Sequence, residues 1–393
     1  MNSNDSGGRV VALDGIRGLA CLFVVVHHYF TGVANYTPES EVTRFIWEIL
    51  AVFFLSGVDL FYVLSGFLVG GIIIDYHKSP NFLKVFFIRR ACRILPLYYA
   101  LVLSYVILPP LLFRWGALGA WADTWLLERP LPLWSYLTFM QSYVMGLEGT
   151  SGAKWLAITW SVSVEEQFYL LMPLVFLLLG AYRAAIVTLT GILLAPAVRY
   201  YLFENVSFYA GYMFFPGRMD TIFWGVLLAF LMRSEKYRLI ANRYALSLFI
   251  VGGLAFVSVA VSNLGTVQIP VFVRFTALAI FYFVVMWVVV EQRFTWLDAA
   301  LRTRFLTFTG MISYAAYMVH QLVNGLMHGL LFGSKPQLSS LERFMATGFS
   351  IVLVYAFCYL SYRYFEGPIL RAGKRVQYAG PIRSGEMVVQ KVA

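Results

Sequence analysis

Long apolar runs recur along the whole chain, separated by short polar stretches. They fall near 11–33, 47–74, 94–113, 161–181, 184–203, 217–232, 245–263, 271–290, 309–332 and 343–365. Each is about long enough to cross a hydrocarbon core of ~30 Å as a helix. The pattern therefore predicts an all-α polytopic membrane bundle of about ten transmembrane helices. One further run, 134–147, is short and lies between Pro132 and the stretch from Gly146 to Gly152. It reads as a re-entrant or interfacial segment. The first run ends in His27-His28-Tyr29-Phe30 rather than a small-residue cleavage site, so no cleavable signal peptide is expected. No internal repeat is visible. The polar segment 371–393 reads as a tail behind a single membrane domain over 1–370.

Composition supports the same class. Hydrophobic residues make up 60% of the 393 and charged residues only 13%, where a soluble chain has roughly 25% charged. That excludes a water-soluble enzyme, a disordered chain or a nucleic-acid-binding domain as the default. The net charge of +10 is explained by loop asymmetry. With ten spans and 134–147 not crossing, 21 Lys and Arg fall on one side and six on the other. If 134–147 crosses, the bias largely disappears. The positive-inside rule then puts both termini in the cytoplasm, for a multi-pass protein of the cell (inner) membrane. The three cysteines form no CxxC. Cys21 and Cys358 read as small buried hydrophobes.

Ionisable residues inside spans are costly, so each is a candidate for function, with helix-to-helix packing as the structural alternative. Arg17 and His28 are 11 residues apart, about 20° apart around a helix and ~16 Å along it. They share a face, and a neutral His28 imidazole there suits a general base. His27 is rotated away from that face. Asp59 opens the second span and suits pairing with an arginine. Arg90 and Arg93, at i and i+3, present two guanidiniums to one side, where they could clamp phosphates or simply anchor a loop. Glu165 and Glu166 lead into the fourth span at its outer end. Arg218 and Asp220 open the sixth span and suit pairing with other helices, with Glu165, Glu166 and Asp59 as partners for Arg218. His320, in the ninth span with Ser313, Tyr314 and Tyr317, reads as a core histidine or a cavity lining. No role is derived for Arg199, Arg274 or His328. No metal-binding motif fits the chain.

Leu13-Asp14-Gly15-Ile16-Arg17 followed by His28 resembles the Arg-x10-His signature of the integral-membrane acyltransferase 3 family. So do Gly57-Val58-Asp59-Leu60-Phe61 through Ser65-Gly66-Phe67, Arg90-x-x-Arg93, and Trp160-Ser161-Val162-Ser163-Val164-Glu165-Glu166-Gln167-Phe168-Tyr169. Gly217-Arg218-x-Asp220, Ser313-Tyr314 to His320, and Tyr364-Phe365-Glu366-x-Pro368 complete the set. These seven motifs stand in the family's order from about 12 to 370. Larger members carry an extracytoplasmic esterase-like domain, and no such domain is expected in the sequence 1–393.

The resemblance implies transfer of an acyl group, often acetyl, from a cytoplasmic acyl-CoA to a hydroxyl. The acceptor would be a carbohydrate or glycolipid, in a surface polysaccharide or lipopolysaccharide. Acyl-CoA would be a co-substrate, with no bound cofactor, no metal and no nucleic acid; membrane lipid is the surrounding partner. The expected catalytic residues are His28, Arg17 and Glu165. In that mechanism Arg17 or Arg218 stabilises developing charge, and Glu165 orients His28 or the sugar. Arg90 and Arg93 would bind the donor. Asp59, Glu166, Arg218, Asp220 and His320 form an acceptor or structural polar cluster. The competing reading is a transporter or flippase for a polar solute, which predicts inverted repeats.

Overall fold

The computed structural model describes residues 11–32, 41–114, 119, 121–263 and 270–379. Within them the chain forms α1 (Val11–Val26), α2 (Glu41–Leu55), α3 (Gly57–Tyr76), α4 (Phe82–Arg114), α5 (Leu133–Leu137), α6 (Gln141–Glu148), α7 (Lys154–Ala157) and α8 (Thr159–Asn205). It continues through α9 (Phe208–Met213), α10 (Phe215–Met232), α11 (Glu235–Arg243), α12 (Ala245–Asn263), α13 (Val271–Val290), α14 (Thr295–Leu301), α15 (Arg304–Phe332), α16 (Leu341–Ser361) and α17 (Gly367–Arg375). There is no strand among the described residues. Arg9, Arg383 and Lys391, counted in the basic face, lie outside the described residues, as does 380–393 of the expected tail.

Among the described residues, eight helical segments are long and apolar enough to cross a membrane. One of them, Lys154–Asn205, contains 52 residues, about 78 Å as a straight helix. It is not straight. Gly180 adopts φ 75° and ψ 167°, a conformation that only glycine takes readily. The chain turns back there, because both arms of α8 reach one residue: Phe168 packs 6.4 Å from the Phe223 ring, and a side chain at Gly191 would strike that same ring. The arms match the separate runs at 161–181 and 184–203. The ninth predicted run lies in α15, which buries His320, Asn324 and His328; these polar side chains lower its hydropathy. The short run at 134–147 forms two small helices, α5 and α6, of five and eight residues, neither long enough to span.

Two pairs of parallel helices organise the interior. A Cβ at Gly18 would collide with the backbone of α15 at Leu306, and one at Gly310 with the carbonyl of Asp14. Small residues thus let the α1 and α15 backbones touch, the usual device where lipid gives helices no hydrophobic reason to associate. The pairing keeps register over the helix length: Cys21 meets Ser313 and His28 meets His320, each 292 residues apart. In the second pair, glycines at 66 and 225 leave no room for a side chain between α3 and α10. Ion pairs close both ends of that contact. Arg218 Nη2 lies 2.6 Å from Asp59 Oδ1, and Arg233 grips both Asp75 oxygens at 2.6 and 2.7 Å.

Candidate functional site

Two cavities follow one another between these pairs. The larger takes its wall from α1, α3, α4, the first arm of α8 and α15. Its charged lining is Asp14, Arg17, Arg90, Arg93 and Glu165, joined by Tyr169, Tyr314 and neighbouring hydroxyls. The smaller is lined by His27, His28 and Gln321 among aromatic and apolar side chains that include Trp160 and Tyr212. We refer to them as the arginine chamber and the histidine chamber.

The arginine chamber is assembled one helical turn at a time. Arg90 and Arg93 do not lie in a loop. They belong to α4, which starts at Phe82, well before the predicted span, and their i, i+3 spacing brings both to the cavity. The Arg90 guanidinium lies 5.7 Å from the Tyr169 ring centroid. The Tyr169 hydroxyl is 2.7 Å from Ser65 Oγ and 3.2 Å from Glu165 Oε2. Arg17 is paired with Asp14 at 2.8 Å. The chamber therefore offers three guanidiniums and two carboxylates, one of which, Asp14, is already paired with Arg17.

Glu165 is thus not the partner of His28. Its side chain opens into the arginine chamber, one turn deeper than Ser161 at the chamber boundary, while Glu166 lines neither cavity. Arg17 shares a helix with His28 but opens to the other chamber. The ~16 Å rise between them spans both chambers.

His28 is held instead by His320. His28 Nδ1 lies 3.0 Å from His320 Nε2. His320 Nδ1 sits 2.7 Å from the Tyr317 carbonyl and 3.1 Å from that of Ala316. A carbonyl oxygen only accepts, so His320 Nδ1 carries the proton. In the neutral pair His320 Nε2 then accepts and His28 Nδ1 donates. That leaves the lone pair on His28 Nε2. His27 also lines this chamber, contrary to the face assigned by a regular helix. The reason is local: α1 widens into a π-helical turn over His27–Thr31, which changes the rotation per residue.

Asp59, Arg218 and Asp220 line neither cavity. They form a buried brace. Arg218 pairs with Asp59, and its guanidinium carbon sits 4.2 Å from the Phe275 ring centroid, with Tyr62, Tyr212 and Trp160 within 5.9 Å. Asp220 takes a bond of 2.5 Å from Arg199 and one of 2.7 Å from Thr276. Of the three partners predicted for Arg218, Asp59 is the one used. Because Trp160 and Tyr212 also wall the histidine chamber, Arg218 supports that wall from behind and is not placed to stabilise charge at a reacting atom. Arg199, to which the sequence gave no role, completes the brace by donating to the carbonyls of Gly217 and Phe272 at 2.5 Å each. Cys21 lines neither chamber, and its thiol points to the Ser313 carbonyl at 3.7 Å. Among the described residues, no group of three or more His, Cys, Asp and Glu side chains could hold a metal ion.

A family model described as an acyltransferase domain matches residues 10–363. The peptidoglycan O-acetyltransferase of Listeria monocytogenes is 31% identical over 180 residues, 43% of this chain and 25% of that protein. A Staphylococcus aureus protein provisionally named an O-acetyltransferase is 22% identical over 394 residues, 93% of this chain and 58% of its own length. The chain thus spans between a quarter and three-fifths of these relatives. No solved structure matches it.

Proposed function

Because the chain belongs to the acyltransferase 3 family, we propose that it is a membrane O-acyltransferase that moves an acyl group, acetyl in the simplest case, from acyl-CoA to a sugar hydroxyl of a surface polysaccharide. The donor enters the arginine chamber from the cytoplasm, with its phosphates at Arg90 and Arg93 and Arg17 adding a third cation. Glu165 and Tyr169 position Arg90 and the arm of the donor. The acceptor sugar occupies the histidine chamber, where aromatic faces such as Trp160 and Tyr212 suit a pyranose ring.

His28 Nε2 takes the proton of the acceptor hydroxyl as its oxygen attacks the thioester carbonyl. The tetrahedral intermediate collapses, the carbon–sulfur bond breaks, and His28 returns the proton to the CoA thiolate. As His28 becomes cationic, its Nδ1–H bond to His320 strengthens, and His320 is already turned to accept it. The single observation that carries this reading is the bonded series from the Tyr317 carbonyl through His320 to His28, since it leaves one basic nitrogen on the residue that lines the acceptor chamber.

The experiment uses purified protein in lipid vesicles, labelled acetyl-CoA and extracted cell-surface glycan. Label moves to the glycan with the intact protein and not with His28→Ala, which elutes as the same folded species. Transfer by His28→Ala at the parent rate would remove the base from this mechanism. Solute counterflow without acylation would favour a transporter.

A further inference from the structure

The two chambers share only two lining residues, Val58 of α3 and Tyr317 of α15. On α8 the boundary falls between consecutive residues, since Trp160 faces the histidine chamber and Ser161 the arginine chamber. Tyr317 is fixed across this divide. Its hydroxyl is 2.5 Å from Ser161 Oγ and 3.1 Å from the Ile158 carbonyl. Its ring meets Phe61 edge-on at 6.0 Å and 79°, and the residue is 7% exposed. Three cationic groups lie on one side of this ring and the basic nitrogen of His28 on the other. A thioester whose phosphates stay with the arginines meets Tyr317 and Val58, the two residues common to both linings, on its way to His28.

We propose that Tyr317, opposed by Val58, is the gate that selects the length of the acyl group. This rests on the acyltransferase reading above. A rotation of the Tyr317 side chain away from Ser161 opens the divide. The same rotation leaves the Tyr317 backbone carbonyl in place, so His320 and His28 keep their orientation while the gate moves. An acetyl group needs the smallest opening. Each added methylene must also clear the ring, and a hydrophobic constriction discriminates by roughly tenfold or more per methylene. When closed, the gate also keeps water of the acceptor side from the thioester.

The test compares kcat/KM for acetyl-CoA, propionyl-CoA and butyryl-CoA in the parent protein, Tyr317→Ala, Tyr317→Phe, Val58→Ala and Val58→Phe, with glycan as acceptor. Tyr317→Ala and Val58→Ala should each raise the butyryl to acetyl ratio by roughly tenfold. Tyr317→Ala should also hydrolyse acetyl-CoA when no glycan is present. Val58→Phe should lower the rate with every donor and leave KM for acetyl-CoA near the parent value, because the arginines are untouched. Tyr317→Phe loses the latch to Ser161 but keeps the ring, so its selectivity should stay near that of the parent. If Tyr317→Ala does not fold, the opposed Val58 pair reads the same divide from the other wall. An unchanged butyryl to acetyl ratio in a Val58→Ala protein that still acetylates would overturn the gate. Failure of the underlying reading looks different: the parent protein itself would transfer no acyl group, and His28→Ala would match it.

Discussion

His28 and His320 illustrate what a single contact settles. A histidine in a membrane helix is ambiguous, because either ring nitrogen can carry the proton. Two backbone carbonyls beside His320 Nδ1 remove that ambiguity for both rings. The consequence is measurable. His320→Gln should lower kcat by about 10²-fold, the scale of general base catalysis, with KM for acyl-CoA unchanged, since the donor arginines lie in the other chamber. A purely structural role would instead lower the folded fraction and leave kcat per folded molecule as it was. Sequence motifs marked both histidines and left the bond between them invisible, because nothing local joins residues 292 positions apart. The place of Glu165, left open between His28 and the sugar, was out of reach for a related reason. Its acidic neighbourhood was visible in the sequence, but which chamber it opens into depends on where α8 begins relative to α1.

At the scale of the element, glycine seams do what apolar burial does in a soluble core. The apolar runs placed the membrane helices, since twenty apolar residues in a row have few other solutions in lipid, but not the early start of α4 at Phe82 or the break between α2 and α3. They said nothing of which helices touch. Gly18 and Gly310 carry that information, and it becomes legible only once both are seen on facing backbones. Gly310→Ala should therefore cost about 1–3 kcal/mol of stability through overpacking. It should also slow acyl transfer more than the lost folded fraction explains, because separating α1 from α15 pulls His28 from His320 ten residues along. Thermal unfolding in detergent, set beside kcat per folded molecule, distinguishes the two effects. The reversal at Gly180 was readable as a gap between two runs, although its φ of 75° was not.

For the molecule as a whole, topology follows from parallel pairs. α1 and α15 run in the same direction, as do α3 and α10, and this agrees with odd and even spans crossing alternately once the arms of α8 count as two passages. We propose accordingly that the end carrying Lys78 and Lys236 is cytoplasmic, and that Asn205 and Lys335 face outward. Cysteines placed singly at these four exposed positions test the assignment with a membrane-impermeant thiol reagent on intact cells. Labelling is expected at 205 and 335 and protection at 78 and 236, and the reverse pattern would invert the protein. Beyond α17, residues 376–379 are docked on the helix that bears the donor arginines. Arg89 Nε donates to the Val376 carbonyl at 3.0 Å, and Tyr378 stacks on Tyr76 at 4.1 Å. The polar composition of this segment gave no sign of that docking.

The constant offset between α1 and α15 has a consequence for biosynthesis. The proposed base is made in α1, and the ring that orients it comes almost three hundred residues later. Until that late helix enters the bilayer, the nascent chain carries an imidazole with no fixed tautomer. The pair is therefore complete only once α15 has entered the bilayer, after α2 to α14 have been made around the two chambers.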